Sequence, residues 1–329
     1  MRDQFGRKID YMRISVTDRC NLRCRYCMPA EGVAQVPHSK ILRFDELLRL
    51  TKAFADCGIR KIKITGGEPL VRRGIVELIR EMKAVSGIEE VTLTTNGILI
   101  GQRPQLAEEL AEAGVSSINI SLDTLKKDRY EAVTGTDGLE DVLRALDVCC
   151  SVPGLKVKVN TVTLADYNRD EIAELASLAR DREIDVRFIE IMPVGLGKSF
   201  PGYSQDDIMD ELQRTYGPAE LYQGPKTGNG PAVYYCFDGF NGRIGMIGSL
   251  SHEFCGGCNR VRLTSEGFLK PCLQYAGGVD LRQLLRDGTE EEVLRQAIRA
   301  GIYNKPRQHA FCSEEAADKD DSHMSFIGG

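Results

Sequence analysis

Apolar and polar positions alternate in short β-rich runs at residues 11–16, 61–65, 90–95, 117–121, 156–162 and 185–191. Between them lie stretches of helical periodicity near 44–56, 74–85, 104–113, 139–151 and 170–181. In the first of these, Phe44, Leu47, Leu48, Leu50, Thr51 and Phe54 recur at the spacing of a helix with one apolar face. Strand–helix alternation on this scale predicts parallel strands joined by right-handed crossovers. Six such units predict an α/β fold, either an incomplete (βα)6 TIM-type barrel or an open doubly wound sheet. The predicted strands mostly end in polar, Gly-rich or charged residues, at the rim where such folds place their chemistry.

The pattern changes near 195–232, where Gly195, Gly197, Pro201, Gly202, Pro225, Gly228, Gly230 and Pro231 gather around one predicted helix at 205–215. Short β-like runs at 232–236 and 243–247, a cysteine cluster and a helix near 290–300 predict a second, α+β unit. The expected division is therefore 1–225 and 226–329, with a charged tail over 313–323.

The 329 residues carry 43 Lys and Arg against 48 Asp and Glu, a net charge of −5. That balance argues against non-specific nucleic-acid binding but allows a local basic pocket for a small anion. No apolar run approaches the roughly 18 residues that read as a membrane span, and the first residues lack a signal peptide's apolar core. A cytoplasmic, reducing location without membrane attachment is expected. There, 11 cysteines point to metal or redox chemistry rather than to disulfides.

Cys20, Cys24 and Cys27 form a C-x3-C-x2-C group just after the first predicted strand. A structural zinc wants four ligands, and no fourth Cys or His lies nearby. Three thiolates on a 4Fe–4S cubane would leave one iron open for a small molecule. Thr65-Gly66-Gly67-Glu68-Pro69 closes the second strand. Its glycines allow close backbone approach, their N–H groups could hold a carboxylate, and Glu68 could accept from an ammonium. Ser121 ends the fourth strand. Farther on, Cys255, Cys258 and Cys272 again number three. They fit either a structural zinc completed by Cys236 or His252, or a second 4Fe–4S cluster with an open iron.

Arg260 and Arg262 flank Val261 on an extended segment, so both guanidiniums share one face, as suits a polyanion. Arg13, Lys61, Lys63, Lys158 and Arg187 fall inside predicted strands, where buried charge is costly. Several such cations aimed into one lumen predict a basic cavity and an anionic substrate.

The order of these motifs resembles the GTP 3′,8-cyclase family of the radical S-adenosylmethionine (SAM) superfamily. The similarity runs over nearly the whole chain. It is carried by Phe5-Gly6-Arg7, the stretch from Arg13 through Cys20 to Pro29, the motif ending Glu68-Pro69-Leu70, Leu93-Thr94-Thr95-Asn96-Gly97, Ser121-Leu122-Asp123, Lys158-Val159-Asn160, Arg187-Phe188-Ile189-Glu190, Cys255, Cys258-Asn259-Arg260-Val261-Arg262-Leu263 and Ile327-Gly328-Gly329. The resemblance implies a partial barrel whose extension carries the second 4Fe–4S cluster. It implies SAM as cofactor, GTP as substrate and the first step of molybdenum cofactor biosynthesis. Cys20, Cys24, Cys27, Cys255, Cys258 and Cys272 are implied to ligate the two clusters. Tyr26, Gly67, Ser121 and Met192 are implied to line the SAM site. Arg13, Lys63, Thr94, Lys158, Arg260, Val261 and Arg262 are implied to contact GTP, with the guanine base at the second cluster. Lys63 stands where the family usually has Arg, keeping the charge but losing the fork. The implied partners are a flavodoxin-type reductant, a downstream cyclic pyranopterin monophosphate synthase and a second copy in a homodimer. Gly328 and Gly329 are implied to reach into the active site. A peptide-maturing radical enzyme and a non-catalytic zinc protein are the competing readings.

Overall fold

The computed structural model describes residues 1–225, 228–311, 320 and 324–327. Six parallel strands follow the predicted order: β1 (Tyr11–Ser15), β2 (Lys61–Thr65), β3 (Glu90–Thr95), β4 (Val115–Ser121), β5 (Lys156–Thr163) and β6 (Asp185–Glu190). Each pairs with the next. Helices Phe44–Asp56, Ile75–Ala84, Gln105–Glu112, Leu139–Ser151 and Ile172–Asp181 fall where the periodicity places them.

The later strands are β7 (Glu220–Leu221), β8 (Val233–Cys236), β9 (Arg243–Ile247), β10 (Arg260–Leu263), β11 (Phe268–Lys270) and β12 (Val279–Asp280). They extend the same sheet at both edges, in the order β12-β11-β10-β1-β2-β3-β4-β5-β6-β9-β8-β7. Strand β10 lies parallel to β1, with Arg13 opposite Arg262, and β9 lies parallel to β6, with Arg187 opposite Gly245. The extension thus builds on the two edges of the incomplete barrel, and antiparallel β11, β12, β8 and β7 finish the sheet.

The two faces of the parallel strands differ chemically. Met12, Ile14, Ile62, Ile64, Val91, Leu93, Ile118, Ile120, Val157, Val159, Val186 and Phe188 point to the helices and form the main core with residues such as Leu47, Leu50 and Phe54. The alternate positions, including Arg13, Lys63, Thr92, Asn119, Lys158 and Arg187, line an inner cavity. Closed barrels of this class fill their interior with branched apolar side chains. Here the apolar set lies outside and the polar set inside, so the lumen is a cleft of ≈ 2650 Å³, mouth included. Among the described residues no helix is long and apolar enough to cross a membrane.

Candidate active site: a cation-lined cleft between two cysteine triads

The first triad sits on the loop after β1. Cys27 N–H and Met28 N–H both donate to the Cys24 carbonyl, at 2.8 and 3.0 Å, folding the loop into a tight turn. Burial pushes the Cys20 thiol up to about 11. Burial also pushes Cys24 up, reinforced by Cys27, Asp123 and Cys20. Thiols that raise one another in this way need an added positive charge to ionise together, which the iron of a cluster held there would supply. All three line the cleft.

The Gly-rich turn after β2 differs from its sequence reading. Gly67 N–H donates to the Thr17 carbonyl and Glu68 N–H to the Arg19 carbonyl, each at 2.8 Å. A Cβ on Gly67 would lie 2.3 Å from the Arg19 oxygen. The glycine is therefore required for close packing against the cysteine loop, and its N–H is already engaged. Glu68 is also occupied: it accepts from Asn96 N–H (2.7 Å), Leu70 N–H (3.0 Å) and the Thr95 hydroxyl (2.8 Å). Asn96 in turn donates its side-chain amide to Asn21 at 2.8 Å. Glu68 thus welds the turn to the end of β3, and through Asn96 to the cysteine loop.

The second triad lies across the cleft. Burial pushes the Cys255 thiol up. At Cys258 the same burial is outweighed by Arg260 and Lys305, which bring the thiol down to about 7. Cys272 faces Arg262. Among the described residues no three His, Cys, Asp or Glu side chains converge on a single-ion site. Arg7, from the Phe5-Gly6-Arg7 segment, fixes this region. Its guanidinium pairs with Asp3 at 2.6 Å and donates to the carbonyls of Cys255, Pro306 and Arg307.

Between the triads the cleft is cationic. Lys63 and Arg262 are buried and Arg13 is half-buried, and each has its pKa lowered first by burial, with neighbouring cations adding to the effect. The Nε atoms of Arg13, Arg187 and Arg260 are buried without a hydrogen-bond partner. Such orphaned guanidinium donors fit an anionic ligand. Lys158 is already paired, with Asp185 at 3.1 Å and the Tyr234 hydroxyl at 3.2 Å.

Tyr26, Gly67, Ser121, Met192, Arg13, Lys63, Thr94, Lys158, Arg260 and Arg262 all line this one cleft with the six cysteines. Val261 does not: it is fully buried and packs into the core behind the sheet. Alternation puts it on the face opposite Arg260 and Arg262, so only its backbone can serve a ligand. Lys61, at the far end of β2, is also absent from the lining. Gly328 and Gly329 lie outside the described residues.

The Radical SAM superfamily model matches residues 14–179, and the Molybdenum Cofactor Synthesis C model matches residues 184–311. The GTP 3′,8-cyclase of Clostridium perfringens (strain 13 / Type A) is 46% identical over 331 residues, covering 100% of both chains. That of Alkaliphilus oremlandii (strain OhILAs) is 41% identical over 329 residues, again covering 100% of both. The chain belongs to the GTP 3′,8-cyclase family of radical SAM enzymes.

The solved structure of Streptococcus suis SuiB bound to precursor peptide SuiA aligns with a TM-score of 0.58 at 19% identity. It covers 89% of this chain and 67% of that one, a likeness of fold alone. For a member of the cyclase family, the polar cleft residues that sequence reasoning missed are Glu90, Lys305 and His309, while Asn96 and Asp123 were named in its motifs without a role. Glu90 could have been found by extending the period-two alternation of β3 back from Thr94 and Thr92. Lys305 and His309 lie on irregular chain with no such signal.

Proposed function

We propose that this chain converts GTP to (8S)-3′,8-cyclo-7,8-dihydroguanosine 5′-triphosphate, joining the ribose 3′ carbon to guanine carbon 8 in the first step of molybdenum cofactor biosynthesis. The observation that carries the reading is one cleft with a buried cation set between two three-cysteine sites. Two 4Fe–4S clusters and SAM, when bound, supply hydrogen-atom abstraction through a 5′-deoxyadenosyl radical and one-electron reduction. Cys20, Cys24 and Cys27 hold the first cluster, and Cys255, Cys258 and Cys272 the second. Three thiol donors in each set, all lining the cleft, suit this assignment.

Tyr26, Gly67, Ser121 and Met192 line the side of the cleft given to SAM. Arg13, Lys63, Arg260 and Arg262 neutralise the triphosphate, joined by Lys158 and Arg187, and Thr94 borders the ribose. Buried cations in a site that sheds its water bind a polyphosphate far more strongly than exposed ones. In this reading residues 1–225 perform the radical chemistry and 226–329 bind the auxiliary cluster and the base. The enzyme works in the cytoplasm as a homodimer, takes electrons from a flavodoxin-type donor and passes product to a cyclic pyranopterin monophosphate synthase.

The test is anaerobic reconstitution followed by incubation with SAM, a reductant and GTP. About eight irons per chain and conversion of GTP to a cyclised isomer with release of 5′-deoxyadenosine are expected. Two zinc ions without sulfide, or nucleotide returned unchanged, would overturn the reading.

A further inference from the structure

His309 is 6% exposed, lines the cleft, and has no hydrogen-bond partner at either ring nitrogen. Buried polar groups in folded proteins are almost always paired, and an exception points to a missing ligand or water. The ring is held in place. It stacks on Phe311 at 4.6 Å between centroids, and its own N–H on the backbone donates to the Cys255 thiol. Glu253 stands 4.0 Å from Nδ1, beyond hydrogen-bond reach. The surrounding strap is pinned by Arg7 on Pro306 and Arg307, by Lys305 on the Pro271 carbonyl and by the Tyr275 hydroxyl on the Gln308 carbonyl. A rigid strap thus presents one imidazole, with a donor and an acceptor both unused, beside the second cysteine triad.

We propose that His309 is a base-recognising residue, hydrogen-bonding the guanine of GTP at the second triad; this rests on the GTP reading above. The phosphates are claimed by the cations, so the imidazole is left to the purine. Guanine offers acceptors at O6 and N7 and donors at N1 and the 2-amino group, and neutral imidazole offers one of each kind. An imidazole that instead ligated a cluster held there would change that cluster's nucleotide-free spectrum when replaced.

The experiment compares the reconstituted holoenzyme with its H309F and H309Q variants. Phenylalanine keeps the stacking on Phe311, and glutamine keeps a donor and an acceptor. Dissociation constants are measured for GTP and for inorganic tripolyphosphate, with iron content and the nucleotide-free spectrum of the second cluster as controls. H309F should bind GTP about tenfold more weakly, H309Q should recover part of that loss, and tripolyphosphate affinity and the nucleotide-free spectrum should not change. Unchanged GTP affinity in H309F, equal losses for GTP and tripolyphosphate, or an altered nucleotide-free spectrum would each overturn the role. Loss of iron in H309F shifts the comparison to H309Q, where a GTP affinity no better than that of an H309A control would overturn it. Failure of the wild-type enzyme to bind GTP would instead sink the underlying reading.

Discussion

Tyr26, between the second and third cysteines of the first triad, donates its hydroxyl to Asp123 Oδ2 at 2.6 Å. Asp123 Oδ1 accepts from Val162 N–H at 2.8 Å, so one carboxylate ties the cysteine loop to the ends of β4 and β5. Y26F removes a part-buried hydrogen bond and leaves Oδ2 of the buried Asp123 without that donor. It should weaken SAM binding about tenfold while the iron content stays at the wild-type level. Equilibrium binding of SAM to the reconstituted variant checks this, and unchanged affinity would show the tether to be dispensable.

Asp185 accepts from two cations at once, Lys158 at 3.1 Å and Arg243 at 2.8 Å. The acid and Lys158 are both buried. Removing one partner of a buried pair leaves an uncompensated charge, a loss of about 3–5 kcal/mol. D185A should lower stability by that order in urea titration of the apoprotein. A loss below about 1 kcal/mol would mean that the floor of the cleft relaxes or admits water.

Burial raises Glu68 to about 7, with the Asn96, Leu70 and Thr95 donors only partly opposing it. An unfolded glutamate titrates near 4.3. Between about pH 4 and 7 the folded chain therefore holds a proton that the unfolded chain has released. Stability should fall as pH rises through that window and level off for this group above it. In E68Q the slope should flatten. Urea midpoints of the apoprotein from pH 4.5 to 8 measure both curves, and parallel curves would rule out Glu68 as the source.

The outward face of the barrel was legible because it obeys two simple periods. Strand β2 (Lys61–Thr65) and helix Phe44–Asp56 fall where alternation and the helical stripe put them. The cationic lumen was legible for the same reason: a lysine at 63 or an arginine at 187 in a parallel strand has nowhere cheap to go. What stayed hidden depends on contacts far apart in sequence. Nothing local says that Arg260–Leu263 will lie beside Tyr11–Ser15, or that Arg243–Ile247 will flank the other edge. Strands of two or three residues, such as Glu220–Leu221 and Phe268–Lys270, are too short to show a period. The partners of Glu68 were hidden because they come from β3 and the turn that follows, and the outward turn of Val261 because a motif names three residues while alternation turns the middle one away. Gly228 read as a linker, yet it reaches the cleft floor, where an added Cβ would lie 3.2 Å from Lys158 Nζ.

Arg187 lies among like charges, its Nε without a hydrogen-bond partner. Replacing a buried unpaired charge with an apolar side chain of similar size relieves desolvation and repulsion. R187M should therefore raise the apoprotein's stability by about 1 kcal/mol while weakening GTP binding at least tenfold. Thermal unfolding and nucleotide binding read the two effects separately. A variant that loses stability would mean that Arg187 is compensated within the fold.

The central claim is that both cofactor-binding triads serve one reaction at the ribose of GTP, and isotope transfer tests it most directly. Reconstituted enzyme, given SAM, a reductant and GTP deuterated at the ribose 3′ carbon, should release 5′-deoxyadenosine containing that deuterium, in step with loss of GTP. Deoxyadenosine free of deuterium, formed at the same rate with and without nucleotide, would contradict the account.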